Sequence, residues 1–464
     1  MRDFELFSQR RRGRRGKRII FGVYLMLKNY KKYKDINLPW LKSIPSHWDI
    51  KRAKGIFIPI NERSQSGKEE LLSVSSKHGV IKRENANVTM FMAGSYENYK
   101  LCWVNDLVIN SLWAWQTGLG FSPYHGIIST AYSVFRLNKS DKNCRYLNYL
   151  LRGTDYQWEF QVRSKGIWRS RYQLSDNSFL DSPVILPPLS EQDQIVQYLD
   201  WKVSLINKYI SAKRKQIELL KEQKQAIINQ VVTKGLNPKI PMKDSGIEWL
   251  GKIPKHWEVR SLKNCCFMKS GINLTSHEIT DEGKYPVYGG NGIRGFFNKY
   301  NRAGDFLLIG RQGALCGNVH KISGKFWATE HAVVVKVNDF VNIDWYYYML
   351  IFMNLNQYSE SAAQPGISVQ KIQNLKTCFP PLAEQIEISG YLNKITNKIE
   401  TKIKNNEDSI SLLQEYCTRI ISDVVTGKVD VQGIKVPEVA VENEDLPDIE
   451  QNSRKNNYKI FEVI

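Results

Sequence analysis

Pro187-Pro188-Leu189-Ser190-Glu191-Gln192 opens a stretch that returns as Pro380-Pro381-Leu382-Ala383-Glu384-Gln385. The two copies align without a gap through Val231-Val232-Thr233 and Val424-Val425-Thr426, with about nineteen identities in roughly forty-eight positions, far beyond chance. Upstream, Trp40-Leu41-Lys42-Ser43-Ile44-Pro45-Ser46-His47-Trp48 returns as Trp249-Leu250-Gly251-Lys252-Ile253-Pro254-Lys255-His256-Trp257. Both pairs run in the same order, so the chain is two tandem copies of one unit. Each copy opens on the Trp-rich signature, passes through a middle rich in β-branched, aromatic and glycine residues, and closes on one long helix. The middles, 49–186 and 258–379, do not resemble each other closely. Constant frames around divergent inserts imply one scaffold used twice.

The closing helices carry a narrow apolar seam. Leu199, Ile206, Leu220 and Ile227 recur at heptad spacing, with Val203, Ile210, Ile217 and Val231 in a second row four residues on. The second copy has Leu392, Ile399, Leu413 and Ile420, then Ile403, Ile410 and Val424. Lys213 and Lys224 interrupt the first seam, and Asn406 and Cys417 interrupt the second at the equivalent positions. A globular helix needs a wider, shorter stripe, so the seams are expected to pair with each other, antiparallel and with pseudo-two-fold symmetry. Such a rod would act as a ruler roughly 60 Å long. Gly235 with Pro238, and Gly427, supply the stops.

Bulk properties fit a folded chain with a polyanionic partner. Hydrophobic residues make up 42% and aromatic ones 11%, enough for real cores. The formal net charge is +20, though about half of the excess comes from residues 1–34. Seven cysteines without a C-x-x-C pair imply neither disulfide ladder nor zinc cluster, and favour a reducing cytoplasm. No run approaches the ~18 apolar residues of a membrane span. Ile19–Leu27 lacks a small-residue cleavage site, so export is not expected, and residues 1–25 read as an extension upstream of Met26.

Taken together these features resemble the specificity subunit of type I restriction–modification systems. The most specific marks are the two Ile-Pro-x-His-Trp segments and the two Pro-Pro-Leu-x-Glu-Gln helix starts. Asp106-Leu107-Val108-Ile109-Asn110-Ser111-Leu112-Trp113-Ala114-Trp115 and Gly310-Arg311-Gln312-Gly313-Ala314-Leu315-Cys316-Gly317-Asn318 add to it. The resemblance implies an α+β fold with two tandem, strand-rich target-recognition domains joined by two long antiparallel coiled-coil helices. It implies a double-stranded DNA partner read in two halves, docking of two modification (methyltransferase) subunits and two restriction subunits, and no catalytic site or cofactor. The expected organisation is a disordered basic extension over 1–27, recognition domains over 28–190 and 236–383, spacer helices over 191–235 and 384–428, and a tail over 429–464. A stand-alone DNA-binding protein, or a specificity subunit of a methyltransferase lacking a restriction subunit, remains the alternative.

Several segments are candidates for DNA contact. In Arg163-Ser164-Lys165-Gly166-Ile167-Trp168-Arg169-Ser170-Arg171, Lys165, Arg169 and Arg171 suit phosphates or guanine edges and Trp168 suits stacking; a solvated basic loop is the bland alternative. Gln364-Pro365-Gly366-Ile367-Ser368 lies at a similar distance before the second Pro-Pro-Leu, with Gln364 and Ser368 as hydrogen-bonding readers. Arg311 and Gln312 either face DNA or form a structural strand turn. Arg294, beside Tyr288-Gly289-Gly290-Asn291-Gly292, belongs to a tight turn or a groove loop. Trp113, Trp115 and Trp327 are expected in the core, and His47 and His256 in structural pairings. Against enzymes, Gly310–Asn318 lacks phosphate-loop spacing, Asp281-Glu282-Gly283-Lys284 has no acidic partner for a nuclease metal in the upstream stretch Ser261–Ile272, and no methyltransferase Asn/Asp-Pro-Pro-aromatic motif occurs. Nothing resembles a helix-turn-helix.

Overall fold

The computed structural model describes residues 28–86, 94–166, 172–313, 315–359 and 366–437; the extension 1–27 and the tail beyond 437 lie outside it. The chain divides into two compact units: residues up to Ile210 together with those from Ser409, and Ser211–Asp408.

Each unit is built on a four-strand frame of the same order. In the first unit the antiparallel sheet runs Phe57–Ile60, Tyr132–Leu137, Leu107–Asn110, Leu119–Phe121. In the second it runs Cys266–Ser270, Ala332–Val337, Arg302–Gly310, Val319–Ala328, and is extended by Tyr285–Gly289 and Gly292–Phe297. The added strand Tyr285–Gly289 pairs parallel to Val319–Ala328; the other pairings are antiparallel. The buried stretches of the central strands, 107–109, 307–309 and 333–335, are continuous apolar runs because both faces are covered there. Leu107 and Ile109 face the main core and Val108 a second cluster with Leu72 and Cys102. Leu307, Ile309, Val333 and Val335 face one core, while Leu308 and Val334 meet Phe326 on the other side.

The repeated signatures form repeated hairpins, Tyr33–Leu38 with Leu41–Pro45 and Met242–Asp244 with Lys252–Pro254. The next strands, Asp49–Arg52 and Glu258–Ser261, reach across each insert to pair with Pro183–Leu186 and Lys376–Phe379. Cys144–Leu151 and Thr154–Arg163 are separate helices, because Gly153 is extended between them and caps the second. Ile343–Phe352 is the counterpart of Cys144–Leu151 in the second unit, and Asn143 and Asn342 cap the equivalent helices with their side chains.

Leu189–Lys234 and Leu382–Val425 are uninterrupted helices of 46 and 44 residues. Of the seam positions, Leu199, Ile206, Ile210, Ile217, Leu392, Ile399 and Ile420 are buried, while Leu220, Ile227, Ile403, Ile410 and Leu413 are half-buried. In the first unit Ile195 and Leu199 share a core with Ile420 and Val424; in the second, Ile228 and Val232 share one with Ile388 and Leu392. The start of each helix lies beside the end of the other, so the pair is antiparallel. The polar interruptions are used: Lys213 Nζ donates to Asn406 Oδ1 (3.0 Å), its own repeat equivalent, and Lys224 Nζ reaches Glu400 Oε1 at 2.6 Å. Gly235 and Gly427 close the helices in the left-handed region (φ +73° and +75°). A Cβ on Gly427 would come within 2.4 Å of the Pro45 ring, so the stop is also a packing requirement.

Candidate nucleic-acid interface

The two repeat motifs hold each other. Trp48 Nε1 donates to Glu191 Oε1 (3.0 Å), His47 Nε2 lies 2.8 Å from Glu191 Oε2, and the Tyr30 hydroxyl donates to the same carboxylate. In the second unit Trp257 Nε1 donates to Glu384 Oε2 (2.9 Å) and His256 Nε2 lies 2.5 Å from Oε1. The adjacent glutamines complete the clasp. Gln192 Oε1 accepts from Asn143 N (2.9 Å) while its amide donates to Pro187 O (2.8 Å); Gln385 does the same with Asn342 N (2.8 Å) and Pro380 O (2.9 Å). Each long helix is thereby fixed to the hairpin and to the capped helix of one unit. His47 and His256 are structural, as their position beside tryptophan implies.

At one end of the second unit's sheet, three segments singled out separately in the sequence converge. Strand Arg302–Gly310 runs into Arg311, whose N donates to His331 O (2.9 Å) and whose carbonyl accepts from Ile367 N (3.0 Å). Gln312 pairs with Gly366 in an antiparallel bridge. The Gly289–Gly292 turn packs on the same spot: a Cβ on Gly310 would lie 2.2 Å from Gly290 O, and one on Gly290 would lie 2.9 Å from His331 O. Gln312 and Arg294 are exposed there, and Arg311 Nη1 lies 3.4 Å from Ser270 Oγ. Ser368 caps helix Val369–Asn374, its Oγ accepting from Lys371 N (3.2 Å).

The first unit makes the same turn from a different sequence. Leu174 N donates to Ser111 O as Ile367 N does to Arg311 O, both at 3.0 Å. Asn110 N to Gly118 O matches Gly310 N to Asn318 O, and Gln116 N to Trp113 O matches Cys316 N to Gly313 O. Leu112 therefore stands where the second unit has Gln312. Lys165, exposed, is bonded through its backbone to Gln173 in both directions (3.0 and 2.9 Å). Trp168, Arg169, Arg171 and Gln364 lie outside the described residues.

The tryptophans depart from expectation. Trp113 is 51% exposed beside Leu112 at 47%, because in this turn it is Ala114 that points inward. Trp115 is half-buried with its ring 5.8 Å from Tyr172, and half-buried Trp327 donates from Nε1 to Ile272 O (3.1 Å). None of the three is a core residue. Sequence reasoning also missed Glu330 and His331, which line the second turn: His331 Nδ1 is 2.8 Å from Gln312 Oε1 and Nε2 is 3.0 Å from Glu330 Oε1. Their counterparts follow from matching Tyr132 N to Ser129 O with Ala332 N to Thr329 O, and are Thr130 and Ala131. No sequence signal marks them until the turns are superimposed.

The cysteines are packing residues. Burial pushes the Cys102, Cys266 and Cys378 thiols up to about 12, so they stay protonated at neutral pH. Among the described residues no cluster of three or more His, Cys, Asp or Glu could hold a metal ion, and no helix is long and apolar enough to cross a membrane.

Comparison with known proteins agrees with this architecture. The family model of the type I restriction modification DNA specificity domain matches residues 254–407. The EcoprrI type I restriction enzyme specificity subunit of Escherichia coli is 43% identical over 162 residues, 34% of this chain and 39% of that protein, so the match spans well under half of this relative. The MjaVIII specificity subunit of Methanocaldococcus jannaschii is 27% identical over 362 residues, 71% of this chain and 81% of that protein. A chain solved in a study of complex assembly and conformational transition of the type I R-M system has the same fold, with a TM-score of 0.65 at 18% identity over 83% of this chain and 99% of that one. With the paired motifs at both ends of each repeat, these matches make residues 254–407 a type I restriction modification DNA specificity domain and the chain similar, over most of its length, to type I restriction enzyme specificity subunits.

Proposed function

We propose that the chain reads a two-part site on double-stranded DNA, one half with each insert, and docks methyltransferase subunits, two per chain, with two restriction subunits in the full complex. The observation that carries this reading is the shared turn. Two inserts with little sequence in common place the same backbone at one end of the same four-strand frame, then offer different side chains from it. The first exposes Leu112 and Trp113, apolar groups suited to a thymine methyl or an unstacked base step. The second exposes Gln312 and Arg294, suited to hydrogen bonds and phosphates. A scaffold held constant while its outward side chains change is what independent recognition of two half-sites requires. Lys165, through its bridge to Gln173, and Ser368, next to Ile367, border the same turns. The paired helices then set the distance between the half-sites.

The chain acts by positioning partners rather than by chemistry. The purified chain is expected to give no turnover with magnesium or S-adenosylmethionine, and to confer methylation of a split motif only with a methyltransferase subunit. Turnover by the lone chain that survives inactivation of any contaminating partner would overturn this reading.

A further inference from the structure

We infer that His331, held by Glu330, is a positioning residue for base recognition in the second unit, fixing the Gln312 amide so that it offers only its amino end to DNA. The inference rests on the reading proposed above and adds what that unit recognises.

His331 has a ring nitrogen on each of two acceptors, Gln312 Oε1 at 2.8 Å and Glu330 Oε1 at 3.0 Å. Nδ1 meets the Gln312 amide oxygen and so takes the donor role in this inference, anchoring that oxygen and leaving the amide's amino end free of the ring, while the Glu330 carboxylate stands beside Nε2. The support beneath is rigid. Arg311 N is bonded to His331 O, Gln312 bridges Gly366, and the Gly290 backbone fills the space between, where any Cβ would collide. Glu330 Oε2 is buried with no hydrogen-bond partner among the described residues, so the carboxylate is engaged through Oε1. The first unit makes the same turn with Leu112, Thr130 and Ala131 at these three places, so reader and support have been exchanged together.

A free glutamine reads adenine with two bonds, accepting from N6 and donating to N7. With its oxygen turned onto His331, Gln312 reads through its amino end. It makes a single donor contact instead, to guanine O6 or N7, adenine N7 or thymine O4. Cytosine offers only an amino donor at that edge, and is the base it rejects.

The test is methylome sequencing of cells carrying this chain with its methyltransferase subunit, comparing Gln312→Ala, His331→Ala and the double variant. Each single variant is expected to admit cytosine at one and the same position of one half-site, with discrimination there falling about tenfold. The double variant should lose no more than either single one, because both act on one contact. The other half-site should be untouched. Unfolding midpoints equal to the parent's would show that the substitutions leave the fold intact. Full discrimination in His331→Ala, or a change at a different position from Gln312→Ala, overturns the inference. An exchange of the 258–379 insert run in parallel separates this from failure of the broader reading. If the exchange alters one half-site while His331→Ala alters nothing, only the role of His331 falls; if the exchange alters neither half, recognition by this insert falls with it.

Discussion

Removing one heptad from each long helix should shorten the DNA spacer without touching either half-site. The helices are 46 and 44 residues long, about 69 and 66 Å at 1.5 Å per residue. The antiparallel pairing of Lys213 with Asn406 fixes which residues must go together. Deleting Arg214–Leu220 with Ile399–Asn405 keeps that contact and rejoins both seams in register. It sacrifices the Lys224–Glu400 pair, a surface ion pair of about 0–1 kcal/mol. It also removes buried Ile217 and Ile399, about 2 kcal/mol each. The damage is confined to one layer of the seam, so the chain should still fold. Each helix shortens by ~10 Å, which at ~3.4 Å per base pair is a spacer about three pairs shorter. Those pairs also carry ~100° of rotation at ~10.5 pairs per turn, so the shorter site is expected to be methylated more weakly unless DNA twist absorbs the difference. Methylome sequencing reads the outcome, with circular dichroism confirming the helices. Full activity at the original spacing would refute the ruler.

Two further outcomes are expected. Neutralising Lys165, Arg169 and Arg171 together should weaken DNA binding by the assembled complex and lower its log–log salt slope by about 0.9 for each phosphate that no longer meets a cation; an unchanged slope would make that segment a solvated loop. Glu191→Ala strands the buried Trp48 N–H and the Tyr30 hydroxyl, so the first unit should lose about 1–3 kcal/mol for each stranded donor in denaturant unfolding, and Glu384→Ala should cost less because that carboxylate is more exposed; equal stability of parent and Glu191→Ala would contradict the clasp.

What the sequence revealed, and what it hid, divides along the repeat. The frame was legible because its constraints are local and written twice. Seam residues recur at heptad spacing, and Pro-Pro-Leu-x-Glu-Gln stands at both helix starts. The partners of those motifs were not legible, since Glu191 meets Trp48 only after the whole insert has folded between them. The equivalence of Ser111 with Arg311 was hidden for a different reason. It is carried by backbone hydrogen bonds, to Leu174 and Ile367, which place no demand on the side chains that face outward. That freedom also explains the misplacement of Trp113: composition favours a buried tryptophan, but the turn gives the inward position to Ala114. His331 went unnoticed because a single histidine before a strand carries no pattern.

The central claim is that each insert reads its own half of the target, and exchange of one insert tests it most directly. Residues 49–186 would be replaced by the matching insert of a relative, leaving the hairpin, the Glu191 clasp and both helices in place, and the methylated motif sequenced in cells that supply the methyltransferase subunit. The account predicts a motif with one half replaced, the other half unchanged and the spacer length retained. A motif in which both halves change together, or in which neither does, would contradict it.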